Sequence, residues 1–288
     1  MNSFAVALAF ISAVFLGAAL VLTQFGLKYV APLPGAAISI PSFTLAFICI
    51  SPVLLHGETI VWSAVPIFAA VGIVFPAVLT LLTFEGNRLL GPVITGALGN
   101  LSPLVAVMFA VILLDEPLRS LQLAGLVVIV AGVVIITVTR PQDVRNWRHW
   151  TLLLPLGAAA LRGLMQPTIK LGLGIWPNPI AAGLTGYIVS ALVVLIVARI
   201  KTGRFIANAP LRGRLWFAAV GISNGVGVLL MYMALSNGPV SLVAPLVATY
   251  PLMTVGLSAL MLGKVERSAR LAAGTAFTVV GVALLLVG

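Results

Sequence analysis

Phe68-Ala69-Ala70-Val71-Gly72-Ile73 and Phe217-Ala218-Ala219-Val220-Gly221-Ile222 spell the same hexapeptide, each near the start of a long apolar run. Neighbouring segments repeat at nearly the same offset. Gly91-Pro92-Val93 answers Gly238-Pro239-Val240, Pro103-Leu104 answers Pro251-Leu252, and Gly125 and Gly132 answer Gly274 and Gly281. An echo carried through several segments at one period is the mark of internal duplication. The chain reads as two copies of one unit, residues 1–144 and 145–288.

Composition names the solvent. The chain is 61% hydrophobic and 8% charged, whereas soluble domains carry roughly a quarter charged residues. Crossing about 30 Å of hydrocarbon takes about 20 helical residues. Ten apolar segments meet that length, at approximately 4–27, 36–55, 61–84, 92–114, 121–139, 151–170, 179–199, 213–236, 239–262 and 269–287. None alternates polar and apolar residues as barrel strands do. The expected fold is therefore an all-α integral membrane protein of ten transmembrane helices.

The formal charge of +10 sits in short connections rather than on one soluble face, which argues against a nucleic-acid partner. The connections after segments 1, 3, 5, 7 and 9 hold 13 of the 16 cations. The positive-inside rule makes that side cytoplasmic and puts both termini on the other side of a cell (inner) membrane. No cleavable signal sequence is apparent, so segment 1 is expected to persist. The single cysteine, Cys49, excludes an intramolecular disulfide, makes a metal cluster implausible and reads as a small core residue. No cofactor is called for. Trp62, Trp147, Trp150, Trp176 and Trp216 fall near segment ends, where an indole anchors at the headgroup level. Trp176 has a second reading, at the mouth of a cavity.

Five is an odd number of crossings, so the second copy starts on the opposite side from the first. Two units inverted in this way create a midplane site between them and a way to expose it to each side in turn. Gly17 to Lys28 aligns without a gap onto Ala159 to Lys170, pairing Gln24 with Gln166 and Lys28 with Lys170. Residues four apart share a helix face, giving stripes Leu20-Gln24-Lys28 and Arg162-Gln166-Lys170. The lysines either snorkel to the interface or line a rim. The glutamine amides must find partners inside the protein or in a wet cavity.

Arg162 is the costliest residue in the chain, because a cation near mid-bilayer costs at least about 2.5 kcal/mol. It is read either as the anchor for a substrate anion or as a donor to carbonyls freed by a proline. The acids Glu58, Glu85, Asp115, Glu116, Asp143 and Glu266 fall in or beside connections, and only Glu85 is placed to turn inward. Pro103 and Pro251, at equivalent points near the middle of segments 4 and 9, deny hydrogen bonds to Gly99 and Val247 and read as kinks or gating hinges. Asn100, Ser102, Asn224, Tyr232, Thr249 and Tyr250 gather near these breaks. With Gln24, Arg162 and Gln166 they make up the expected substrate cavity. Lys28, Glu85, Pro103, Lys170, Trp176 and Pro251 are the expected gating or rim residues. The paired glycines of segments 5 and 10 suit close packing. The chain is read as a monomer, with a homodimer through those faces as the alternative.

At this level of detail the sequence resembles the drug/metabolite transporter (DMT) superfamily, in its ten-helix EamA-type branch. The resemblance rests on the two five-helix copies, the terminal lysines of segments 1 and 6, and the Gly-Pro-Val starts of segments 4 and 9. Ser102-Pro103-Leu104, Tyr250-Pro251-Leu252 and Asp115-Glu116-Pro117-Leu118 followed by Gly125 complete it. It implies a bundle with segments 1, 3, 4, 6, 8 and 9 around a central cavity and segments 5 and 10 at the periphery. It also implies a carrier similar to amino-acid exporters. Gln24 stands where small four-helix relatives place an acid for proton coupling, so that route of coupling is in doubt.

The expected function is alternating-access export of a small amphipathic metabolite, an amino acid before others. Nucleotide sugars or drugs are the alternative cargo. An intramembrane enzyme would need a nucleophile and base or a metal, and His56 and His149, both near connections, supply neither. A passive channel would not need two alternately accessible states.

Overall fold

The computed structural model describes residues 3–79, 82, 89, 98–137, 149–205, 209–262 and 269–288. Glu85, Arg88, Pro92 and Trp147 lie outside the described residues, as do the connections at 138–148 and 263–268. What is described is helical. In chain order the helices are α1 (Ser3–Gly26), α2 (Pro32–Leu54), α3 (Val65–Gly72, continuing as a wide π turn over Ile73–Val78), α4 (Ser102–Leu114) and α5 (Ser120–Thr137). They are followed by α6 (Leu153–Ile175), α7 (Pro179–Thr202), α8 (Leu211–Asn237), α9 (Val240–Val247), α10 (Tyr250–Leu262) and α11 (Ala269–Val287).

Among the described residues, six apolar spans are long enough to cross a bilayer: Ser3–Gly26, Pro32–Leu54, Trp150–Ile175, Pro179–Thr202, Leu211–Asn237 and Val240–Ser258. Shorter apolar helices occupy Val65–Val78, Ser102–Leu114, Ser120–Ile135 and Ala272–Val287. Local signals set several ends. Asn178 accepts hydrogen bonds from the N–H groups of Ile180 and Ala181 at 3.1 and 3.0 Å, with Pro179 as the first helical residue of α7. Gly203, at φ 75°, ends α7 in the left-handed conformation that glycine adopts without strain.

Without a hydrophobic drive between helices in lipid, packing depends on small residues and interhelical hydrogen bonds. The repeated hexapeptide serves this end in both copies. A β-carbon on Gly72 would collide with the Gly186 backbone of α7, and one on Gly221 with the Ser39 backbone of α2. Antiparallel α1 and α8 are stitched reciprocally. The Ser12 hydroxyl donates to the Gly227 carbonyl at 2.7 Å, and the Ser223 hydroxyl donates to the Phe15 carbonyl at 2.8 Å.

The glycine faces of α5 and α11 meet each other. A β-carbon on Gly125 would stand 2.7 Å from the Gly281 carbonyl oxygen, and one on Gly132 the same distance from that of Gly274. These faces therefore pack against each other within the chain.

Three sequence expectations change. Cys49 is exposed on the outer side of α2, not a core residue. In a bilayer the outer face is also apolar, so hydrophobicity alone does not separate the two positions. Segment 6 runs on to Ile175, which draws Lys170 more than a turn inside the helix. Pro103 and Pro251 do not bend continuous helices. They follow two-residue interruptions of the α-helical pattern, at Asn100-Leu101 and Ala248-Thr249, and sit in the first turn of the helix that restarts. Tighter turn hydrogen bonds, such as Leu101 N–H to the Leu98 carbonyl and Thr249 N–H to that of Leu246, bridge the interruptions. A proline in the first turn lacks only an N–H that had no intrahelical partner.

Candidate functional site

Two adjoining cavities occupy the middle of the bundle. The first, of about 240 Å³, is lined from α1, α2, α3, α6, α7 and α8, and reaches the α1–α2 connection at Leu27 and Pro32. The second, of about 160 Å³, is lined by Ser102, Arg162, Gln166 and Tyr250 among the apolar residues of α1, α6, α8 and α9. Leu20, Phe75, Arg162 and Asn224 belong to both linings and form the waist between them.

Arg162 is the one charged side chain among the described lining residues. Its Nη1 donates to the Tyr250 hydroxyl at 3.4 Å, across from α6 to the start of α10. A half-buried guanidinium with a neutral partner keeps most of its donors for a ligand. Asn224 is held from α7, where the Tyr187 hydroxyl donates to its Oδ1 at 3.3 Å. Tyr187 is set in turn by edge contact with Phe43, ring centroids 4.7 Å apart. Gln166 is buried and lines the second cavity, and its Oε1 has no hydrogen-bond partner among the described residues.

The stripe on α6 that faces the cavities is Arg162, Met165, Gln166 and Ile169, the spacing of one helix face. The matching stripe on α1 is Leu16, Leu20, Thr23 and Leu27. Gln24 therefore falls off it and is exposed. Its repeat equivalent Gln166, also four residues on from a lining residue, stays on the α6 stripe, so α1 and α6 present differently rotated faces to the cavities, with Thr23 turned in on α1 and Gln166 on α6.

Of the residues expected in the cavity, Ser102, Arg162, Gln166, Asn224 and Tyr250 line it. Asn100 is buried at the break before α4 and lines neither cavity. Thr249 is 1% exposed, its hydroxyl donating to the Leu246 carbonyl at 2.7 Å and so closing the last turn of α9. Tyr232, 2% exposed, packs into the main core cluster. Trp176 does likewise at the end of α6 and lines neither cavity. Pro103 and Pro251 flank the cavity as helix restarts.

The two lysines of the repeat have different surroundings. Lys28 is exposed and sits 5.2 Å from the Phe25 ring centre. The Lys170 Nζ donates to the carbonyls of Leu235 and Gly238 at 2.6 and 2.9 Å, capping the C-terminal end of α8. Two residues later Glu116 caps the N-terminal end of α9, accepting from the N–H groups of Val240 and Ser241 at 2.8 and 2.9 Å. Glu116 also attracts Lys170 electrostatically. The Gly238-Pro239 turn thus lies between carbonyls of α8 held by a cation and N–H groups of α9 held by an anion.

Sequence reasoning missed Glu116, Tyr187 and Phe75. Glu116 was assigned to a connection and no more. Pro76 was the available signal for Phe75, because the π turn around it places Phe75 in both linings.

The profile of the EamA-like transporter family matches this chain twice, over residues 3–138 and 149–287. A solved crystal structure, described only as that of a protein, has the same fold, with TM-score 0.84 and 19% identity over 100% of this chain and 98% of its own. No curated protein matches the chain.

Proposed function

This chain belongs to the EamA-like transporter family, a family of membrane transporters, and from that premise we propose that it exports small amphipathic metabolites by alternating access, amino acids before others. Ten spans in two inverted five-helix repeats, 1–144 and 145–288, carry the exchange, with both termini on the non-cytoplasmic side of the inner membrane. The interruptions before Pro103 and Pro251 are its hinges.

The observation that carries this reading is Arg162, a lone cation in the described wall of a central, mostly apolar cavity. Such a site favours a ligand that joins one anionic group to an apolar body, because the cation is neutralised while the body removes apolar wall from water. Purified protein in liposomes is expected to move labelled neutral amino acids, and Arg162→Ala to lose most of that flux. No flux over a broad amino-acid panel, with and without a pH gradient, sinks the proposal.

A further inference from the structure

The four residues of the waist are two pairs of repeat equivalents. Leu20 aligns with Arg162 in the gapless match of Gly17–Lys28 to Ala159–Lys170. Phe75 aligns with Asn224, two residues beyond the shared hexapeptide. At both positions the first copy is apolar and the second polar. The partners follow the same division, since Tyr250 on Arg162 and Tyr187 on Asn224 also come from the second copy. The two copies therefore meet at one place with opposite chemistry.

We infer that the waist is a polarised recognition site, in which the second copy holds the carboxylate of the cargo through Arg162 and Asn224 while Leu20 and Phe75 of the first select its apolar body. This inference rests on the proposed amino-acid function and adds which residues set specificity, and for which end of the molecule. Tyr187 occupies Asn224 Oδ1, so the amide N–H₂ is the donor left for the ligand. The Arg162 guanidinium, tied among the described residues to Tyr250 through Nη1, retains donors in a fork that matches a carboxylate. No carboxylate stands among the described lining residues to compete for it. Leu20 and Phe75 present no donor or acceptor side chain, so they discriminate by shape and buried area alone. The cargo binds in one orientation.

The test separates head from body. Binding of L-phenylalanine, L-alanine and phenethylamine, which lacks the carboxylate, is measured on purified full-length protein by competition against a radiolabelled amino acid. Arg162→Leu is expected to weaken L-phenylalanine by about tenfold or more, the scale of a charge-assisted hydrogen bond, and to leave phenethylamine within about twofold. Arg162→Lys keeps part of the acid preference and guards against a folding defect. Phe75→Ala and Leu20→Ala are expected to lower the preference for L-phenylalanine over L-alanine by about threefold to tenfold while preserving the acid-over-amine ratio. If Arg162→Leu weakens acid and amine equally, or if Phe75→Ala moves the acid-over-amine ratio instead of the phenylalanine-over-alanine ratio, the polarised site is wrong. A wild-type protein that binds none of the three overturns the amino-acid reading itself.

Discussion

Replacing Lys170 by methionine asks whether the ammonium merely snorkels or holds one end of the bundle shut. Methionine keeps most of the length and apolar stem of lysine and removes the charge. Two carbonyls, those of Leu235 and Gly238, lose donors at 2.6 and 2.9 Å, while Glu116 continues to cap Val240 and Ser241. Hydrogen bonds to charged groups are worth about 1.5–3 kcal/mol each. Lys170 is only half-buried, and the freed carbonyls lie at a helix end where water can replace it, so the discounted total is about 2 kcal/mol.

If the contact is made only in the conformation seen here, losing about 2 kcal/mol raises the population open at this end roughly 30-fold, since about 1.4 kcal/mol is tenfold. Ser241 reports it, being buried at the start of α9 with its N–H on Glu116. In a Cys49→Ser background, Ser241→Cys is labelled with a membrane-impermeant maleimide, and the rate with Lys170→Met is compared to the rate without it. The expected result is acceleration toward the 30-fold limit, with Glu116→Gln giving a smaller effect in the same direction. An unchanged rate in protein that still elutes as a single folded species refutes the latch and leaves Lys170 a snorkelling residue.

Three further outcomes follow from the packing. Gly221→Val and Gly125→Leu each drive side-chain atoms into another helix's backbone, which cannot yield as a flexible side chain can. Each should cost about 1–3 kcal/mol, read as a lower unfolding midpoint in detergent, and an unaltered midpoint would show that the helices are not in contact there. Removing both reciprocal bonds with Ser12→Ala and Ser223→Ala should cost about 1 kcal/mol in all, because a membrane hydrogen bond averages about 0.6 kcal/mol. A loss several times larger in the same unfolding assay would mean that these hydroxyls support more than the α1–α8 contact. Cys49, on the outer face of α2, should react in membranes with a lipid-soluble maleimide and resist an impermeant one; labelling by the impermeant reagent alone would put that face in water.

Much of the helical layout is visible in the residues because crossing lipid without exposing polar backbone allows few solutions. Apolar length marks the spans, Gly-Pro and Asn-Pro mark their starts, and the offset between copies gives the register. Arg162 and Gln166 stand out for the same reason: a charge or an amide in hydrocarbon must be accounted for by a partner or by water. Faces are another matter. Phe47 is 3% exposed and Leu45, two residues away, is 64% exposed, yet both suit a membrane helix equally well. Lipid and protein interior are alike in polarity, so the cue that separates core from surface in water is missing. Trp176 in the core, Cys49 outside it and Gln24 off the cavity stripe all follow from that.

The sequence by itself determined a duplicated, helical, membrane-spanning chain and the few polar residues that such a chain carries at a cost. Only the tertiary structure decided which residues meet. Rotation of α1 exchanged Gln24 for Thr23 in the cavity wall, and the π turn at Pro76 brought Phe75 to the waist. The fold of α6 against the α8–α9 turn converted Lys170 from an interfacial charge into a cap. Length and polarity are properties of a segment and can be summed along it. Contact depends on the angular position of each helix about its axis, set by small-residue packing between segments more than a hundred residues apart, such as Gly72 on Gly186 and Gly221 on Ser39.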